Sequence, residues 1–152
     1  MTPDEIIDNL PYAQPFLFVD ELIHVDEQSA EGTYVFEEDS SFYKGHFKDF
    51  PVTPGVILTE CCAQIGLVCL GIYLLQKEIT EKQDKKPQIA LSSSEMEFYL
   101  PVFPNEKVKV VSEKMYFRFG KLKCKVKLLN SEGELVCKGI LAGMFKQVSN
   151  GK

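Results

Sequence analysis

From Gly55 to Leu75 the chain runs for roughly twenty residues with hardly a polar interruption, and a run of that kind admits few folds. Thr53 stands ahead of it as an N-cap and Pro54 as a first helical residue, where a missing N–H costs nothing. The apolar positions Val56, Ile57, Leu58, Ile65, Leu67, Val68, Leu70, Ile72, Leu74 and Leu75 fall almost all round a helical wheel. A helix apolar on every side is covered on most sides, unlike an amphipathic surface helix. The polar exceptions are Thr59, Glu60 and Gln64. Glu60 and Gln64 are four residues apart, so they share a face and can hydrogen-bond.

A carboxylate is almost never buried without a partner, and burying its charge raises its pKa. Glu60 is therefore a candidate proton donor. Two plainer readings compete. A run this long can cross a bilayer, although Glu60 and Gln64 near its start would be costly in lipid. Equally, Glu60 can be a structural carboxylate held by its neighbours.

The remainder supplies the cover. Thr2, Pro3 and Glu5 spell a capping box that opens a short helix ending before Pro11. "FLFVDELIHV" and "AEGTYVFEE" are rich in β-branched and aromatic residues and flank "DEQS", a hairpin turn. The segment from Asp39 to Thr53 is aperiodic but dense in aromatics (Phe42, Tyr43, Phe47, Phe50), which marks a structured loop, and it carries His46 beside Gly45. "QKEITEKQDKKPQ" is charged and belongs in solvent, with Pro87 marking its end. From Gln88 to Phe145 four strands are expected, separated by "YLPVFPN", "G" and "SEG". In "KLKCKVKLL", Leu122, Cys124, Val126 and Leu128 alternate with Lys121, Lys123, Lys125 and Lys127, which describes a sheet with one dry and one wet face.

About six strands and one buried helix make an α+β chain in which a curved antiparallel sheet wraps the helix. The length of 152 residues suits a single domain, 1–152. One sheet cannot cover the helix completely, so a homodimer is expected. The formal charge of −5 argues against nucleic acid as the main partner. The acidic start "MTPDEIIDNLP" is unlike an export signal, which points to the cytoplasm. Five cysteines without a CxxC pair or a histidine cluster give no zinc site, and without export no disulfide is expected. Cys61, Cys62 and Cys69 lie within the apolar helix as small hydrophobes.

"LPYAQPFLFVD", "GHFKDFPVTPGVILTECCAQIG" and "FYLPVFPNEKVKV" resemble the signature stretches of the 3-hydroxyacyl-acyl-carrier-protein dehydratases, from about Leu10 to Phe145. The resemblance implies the hot-dog fold and the dehydration of a (3R)-hydroxyacyl thioester to the trans-2-enoyl thioester. It further implies a catalytic His46 and a catalytic Glu60 from different subunits of a dimer, a thioester carbonyl held at Gly55 and Val56, and an acid oriented by Gln64. Acyl carrier protein is the implied partner, its phosphopantetheine carrying the substrate, with no metal, no other cofactor, no nucleic acid, no membrane span and a dimer or an oligomer of dimers. The chain departs from the family pattern at Tyr12 and Ala13, at Lys48 and Asp49 where proline and glycine are usual, and at Asn105 and Glu106 where Gly-Asp is usual.

The chemistry suits the residues. An imidazole can take the C2 proton at neutral pH, a protonated Glu60 can release the C3 hydroxyl as water, and helix N–H groups can hold the developing oxyanion. Apolar walls would house the acyl chain. The alternatives are an acyl thioesterase, in which Glu60 activates water, and a non-catalytic acyl-binding or assembly subunit. His24, between Ile23 and Val25, reads as a surface or hairpin residue. Lys121, Lys123, Lys125 and Lys127 read as a solvated face or as a docking stripe for an acidic carrier protein.

Overall fold

A computed structural model describes residues 1–78 and 86–148. Helix α1 (Pro3–Asp8) opens as its capping box predicts, with the Glu5 N–H donating to the Thr2 hydroxyl at 3.2 Å. Strands β1 (Glu21–Val25), β2 (Ser29–Val35), β3 (Lys86–Phe98), β4 (Lys107–Arg118), β5 (Lys121–Leu129) and β6 (Leu135–Val148) form one six-stranded antiparallel sheet in the order β1-β2-β4-β5-β6-β3. Helix α2 (Gly55–Glu78) lies against it and touches β1, β2, β4, β5 and β6. The helix is long and apolar enough to cross a bilayer, but the sheet wraps it instead, and every residue from Cys61 to Ile72 is buried.

The alternation in β5 falls as expected: Leu122, Cys124, Val126 and Leu128 are buried, and Lys125 and Lys127 are exposed. All five cysteines are free and buried. Burial pushes the Cys69 thiol up to about 12, in keeping with a small apolar role. His24 sits at the β1–β2 hairpin, its Nε2 2.8 Å from Asp26 Oδ2. Asp26 Oδ1 also accepts from the backbone N–H groups of Gln28 and Ser29, which closes the turn.

Four expectations are corrected. The strand expected from Phe16 begins only at Glu21, because the Phe18 N–H and the Phe16 carbonyl are bonded to the Gln64 side chain rather than to a strand. Thr53 does not cap α2: its hydroxyl pairs with Tyr43 at 2.5 Å in the core, Pro54 takes the cap position, and the helix starts at Gly55. The apolar run is not covered throughout, since Val56 is 77% exposed. Of the four loop aromatics, Tyr43 is buried and Phe42 half-buried, whereas Phe47 and Phe50 stand exposed. The charged stretch between α2 and β3 lies mostly outside the described residues.

The middle of α2, Ala63–Val68, widens into a π-helical turn. Here the helix meets the sheet most closely. A Cβ on Gly66 would come within 2.9 Å of both Ser112 and Val126. The Ser112 hydroxyl donates to the Gly66 carbonyl at 2.7 Å, giving a partner to a carbonyl of the widened turn.

Candidate active site

Backbone and side-chain hydrogen bonds hold the loop that carries His46. A short 3-10 turn, Ser41–Lys44, precedes it, and the His46 N–H donates to the Phe42 carbonyl at 3.0 Å. The Val52 N–H donates to the His46 carbonyl at 2.9 Å, and the Thr53 N–H to the Val102 carbonyl at 2.9 Å. The half-buried imidazole places Nδ1 2.8 Å from the Val52 carbonyl oxygen. A carbonyl can only accept, so Nδ1 carries a proton, and in the neutral ring the lone pair is on Nε2. The loop thus selects the tautomer in which the outer ring nitrogen is basic.

Glu60 is half-buried, one turn into α2. Gln64 is fully buried and spends both ends of its amide: Oε1 accepts from the Phe18 N–H at 2.8 Å, and Nε2 donates to the Phe16 carbonyl and to Glu60 Oε2, both at 3.0 Å. This fixes the amide's orientation and leaves Glu60 Oε1 to carry the proton when the carboxyl is neutral. Burial raises the Glu60 pKa, and the bond from Gln64 pulls it partly back.

Where α2 begins, no side chain caps it. The first bonds to a helix carbonyl are made by Ile57 and Leu58, to Pro54 at 2.9 and 3.1 Å. The N–H groups of Gly55 and Val56 lie ahead of them, at the positive end of the helix dipole. Gly55 also lets Phe98 close in, since a Cβ there would stand 3.3 Å from the ring.

The fold therefore joins Glu60 to Gln64 and sets both on the helix that starts at Gly55 and Val56. It does not join His46 to Glu60: among the described residues of one chain no hydrogen bond links them. Tyr12, noted in the sequence only as a departure, belongs to this neighbourhood. Its hydroxyl pKa is raised first by burial and then by the charge of Glu60. Of the other departures, Asp49 at φ 78° and Asn105 at φ 69° take the left-handed backbone that glycine adopts freely.

A long helix enclosed by one antiparallel sheet, with an uncapped helix start and a shielded carboxyl on its first turns, is the hot-dog architecture. Residues 10–140 match the FabA-like domain, and the chain belongs to that family. It is 33% identical over 146 residues to the 3-hydroxyacyl-acyl-carrier-protein dehydratase FabZ of Caldicellulosiruptor bescii, covering 94% of this chain and 97% of that one. The FabZ of Clostridium perfringens is 32% identical over 91% of this chain and 94% of its own. Among solved structures, the dehydratase heterocomplex ApeI:P from Xenorhabdus doucetiae superposes with a TM-score of 0.76 at 12% identity, covering 99% of this chain and 93% of that one. A hypothetical thioesterase protein with coenzyme A from Streptococcus pneumoniae follows the same fold at a TM-score of 0.62 and 15% identity, over 86% and 88% of the two chains.

Proposed function

We propose that the protein removes water from a (3R)-3-hydroxyacyl thioester carried on acyl carrier protein, giving the trans-2-enoyl thioester for fatty-acid or related acyl-chain synthesis in the cytoplasm. The observation that carries this reading is the setting of two groups: a histidine whose Nδ1 is held by the Val52 carbonyl so that Nε2 faces outward, and a carboxyl bonded to Gln64 whose pKa burial raises. His46 Nε2 takes the C2 proton, and Glu60 Oε1 gives its proton to the departing C3 hydroxyl, which leaves as water. The C2 electron pair becomes the new double bond, so proton transfers alone balance the reaction. The N–H groups of Gly55 and Val56 hold the negative charge that gathers on the thioester oxygen. Gln64 keeps Glu60 turned toward the substrate.

Two copies of the chain complete the site in this reading. Among the described residues strand β3 is at the edge of the sheet, hydrogen-bonded only to β6, and a long open edge invites pairing. Leu91 and Phe98 on β3, together with Phe47, Phe50 and Val56, are apolar and exposed in the single chain. A partner laid along β3 covers them and brings its own His46 loop toward this chain's Glu60.

The test incubates the protein with 3-hydroxyacyl carrier protein and reads the acyl chain by mass spectrometry. Loss of one water by the wild type, abolished in His46→Ala and in Glu60→Gln while both remain folded, is the expected result. Release of free thiol would assign a thioesterase, and binding without turnover a non-catalytic subunit.

A further inference from the structure

The imidazole of His46 lies face to face with a neighbouring aromatic ring. The Phe47 ring is stacked on it at 3.9 Å between centres, with 26° between the planes, although Phe47 as a whole is 57% exposed. At that separation the two flat faces are in van der Waals contact. The bond between Nδ1 and the Val52 carbonyl fixes one point on the edge of the imidazole. A single bond of that kind leaves the ring free to tilt about the line from Cβ to the bond, and a tilt swings Nε2 off its aim. A second contact, on the face of the ring, removes that freedom.

Phe47 is itself held in place. Its N–H donates to the Phe50 carbonyl at 2.8 Å and the Phe50 N–H donates back to the Phe47 carbonyl at 3.1 Å, which closes a turn with Lys48 and Asp49 at its tip. Proline and glycine set such a tip by themselves, one by fixing φ and the other by reaching the left-handed region freely. Lys48 does neither, and Asp49 takes φ 78° while carrying a Cβ. Support comes from outside the turn instead. The Phe50 ring meets Phe103 edge to face, with centres 6.0 Å apart and planes at 83°, an arrangement that aromatic pairs prefer. Phe103 lies between β3 and β4, where its N–H donates to Glu106 Oε1 at 3.2 Å. Beside it the Val102 carbonyl accepts from the Thr53 N–H at 2.9 Å, so this connection grips the His46 loop by backbone at one point and by a ring at another.

We propose that Phe47 is a positioning residue for His46, and that Phe103, acting through Phe50, keeps Phe47 on the imidazole in place of the rigidity that proline and glycine would give the turn. The inference rests on the reading of His46 as the base and adds the residues that aim it. Contact runs from Phe103 to Phe50 to Phe47 to His46, and only His46 meets the reacting atoms. A brace of this kind acts on the alignment of Nε2 with the C2 proton, which is felt in the chemical step. Its loss therefore lowers kcat and leaves KM in place, whereas loss of an apolar wall for the acyl chain would raise KM.

The experiment has a kinetic arm and a spectroscopic arm. With 3-hydroxyacyl carrier protein as substrate, Phe47→Leu keeps an apolar side chain but loses the flat face. Its kcat should fall about 10- to 100-fold, the scale of a misplacement of about 1 Å, with KM within about twofold of wild type. Phe47→Tyr keeps the face and should restore kcat. Phe103→Leu should lower kcat less, and adding it to Phe47→Leu should cost nothing further, because the path it acts through is already cut. The second arm uses histidine-labelled protein and needs no turnover. The chain has only two histidines, and His24 at the β1–β2 hairpin serves as the internal control. The His46 ring protons should lie upfield of those of His24 in the wild type, move toward them in Phe47→Leu and return in Phe47→Tyr. Wild-type kcat in Phe47→Leu, a rise in KM in place of the fall in kcat, full additivity of Phe103→Leu with Phe47→Leu, or His46 ring protons unmoved by Phe47→Leu would each overturn the inference. A wild type that leaves the carrier substrate intact while its His46 protons still respond to Phe47 would count against the dehydratase reading and support the brace, which the spectra read directly.

Discussion

The imidazole of His46 and the backbone carbonyl of Val52, 2.8 Å apart, lie within one loop that also pairs the two residues through the Val52 N–H. Asparagine at this position can reproduce the Nδ1 donor but offers no base. His46→Asn should therefore unfold within about 0.5 kcal/mol of the wild type yet lose about 10²- to 10⁴-fold in turnover. His46→Gln cannot reach Val52 in the same way and should lose stability as well. Urea titrations beside single-substrate kinetics separate the two effects; an active asparagine variant would remove His46 from the chemistry.

Glu60 carries a sign that can be read in pH. Its carboxyl is raised from the ordinary value of 4.5 by burial, so the folded state disfavours the charged form. The stability that this contributes is complete below the ordinary value and is lost as pH climbs through the raised one. Glu60→Gln has no such loss, so the melting temperature of the variant should gain on the wild type as pH rises above the ordinary carboxyl value of 4.5. On the alkaline side of the pH profile wild-type turnover should fall as Glu60 ionises, because an ionised carboxyl has no proton to give. A melting-temperature gap that stays constant with pH would show that Glu60 is not shielded.

Tyr43 and Thr53 form a buried hydroxyl pair at 2.5 Å that ties the His46 loop to the start of α2. Thr53→Val keeps the shape and strands the Tyr43 hydroxyl, at a cost of about 1–3 kcal/mol. Adding Tyr43→Phe removes the stranded group and should restore part of that loss, so the double-variant cycle is non-additive. Additive losses in chemical denaturation would mean that the two hydroxyls do not depend on each other.

Asp49 stands at φ 78° within the turn closed by the Phe47 N–H and the Phe50 carbonyl at 2.8 Å. A left-handed backbone costs a residue with a Cβ about 1–2 kcal/mol relative to glycine. Asp49→Gly should therefore raise stability by up to about 1 kcal/mol, the added freedom of the unfolded glycine offsetting part of the gain. Asp49→Ala, which has the Cβ without the polar tip, should lower it. Thermal melts of the two variants decide the matter by the sign of their difference.

What could be read from the chain alone follows from periodicity. The apolar wheel of α2, the Glu60–Gln64 spacing and the alternation in β5 are local patterns, and each reappears in the fold. Gln64 was legible as a neighbour of Glu60 but not as the clamp on Phe16 and Phe18, which lie 48 and 46 residues away. Those long-range bonds also shortened β1. Thr53 satisfied every local rule for a cap and was drawn off by Tyr43, a partner that only the folded loop supplies. The π turn at Gly66 has the same origin, a close approach to Ser112 and Val126 on the sheet. At Asp49 and Asn105 the sequence departs from the family pattern of glycine, and the backbone there is left-handed, a conformation that glycine takes freely and short polar side chains tolerate.

The proposed division of the site between two chains leads to the sharpest prediction. If His46 of one chain serves Glu60 of the other, a dimer of one His46→Ala chain and one Glu60→Gln chain holds one site with both defects and one site with neither. Random mixing makes about half of all dimers mixed, with one working site of two, so about a quarter of wild-type turnover should return from two inactive parents. The parents are unfolded together in urea, refolded, and assayed for water loss from 3-hydroxyacyl carrier protein. A same-chain site gives no recovery at any mixing ratio. Recovery that rises with the product of the two subunit fractions, peaking at equal amounts, is the signature of a site shared across the interface.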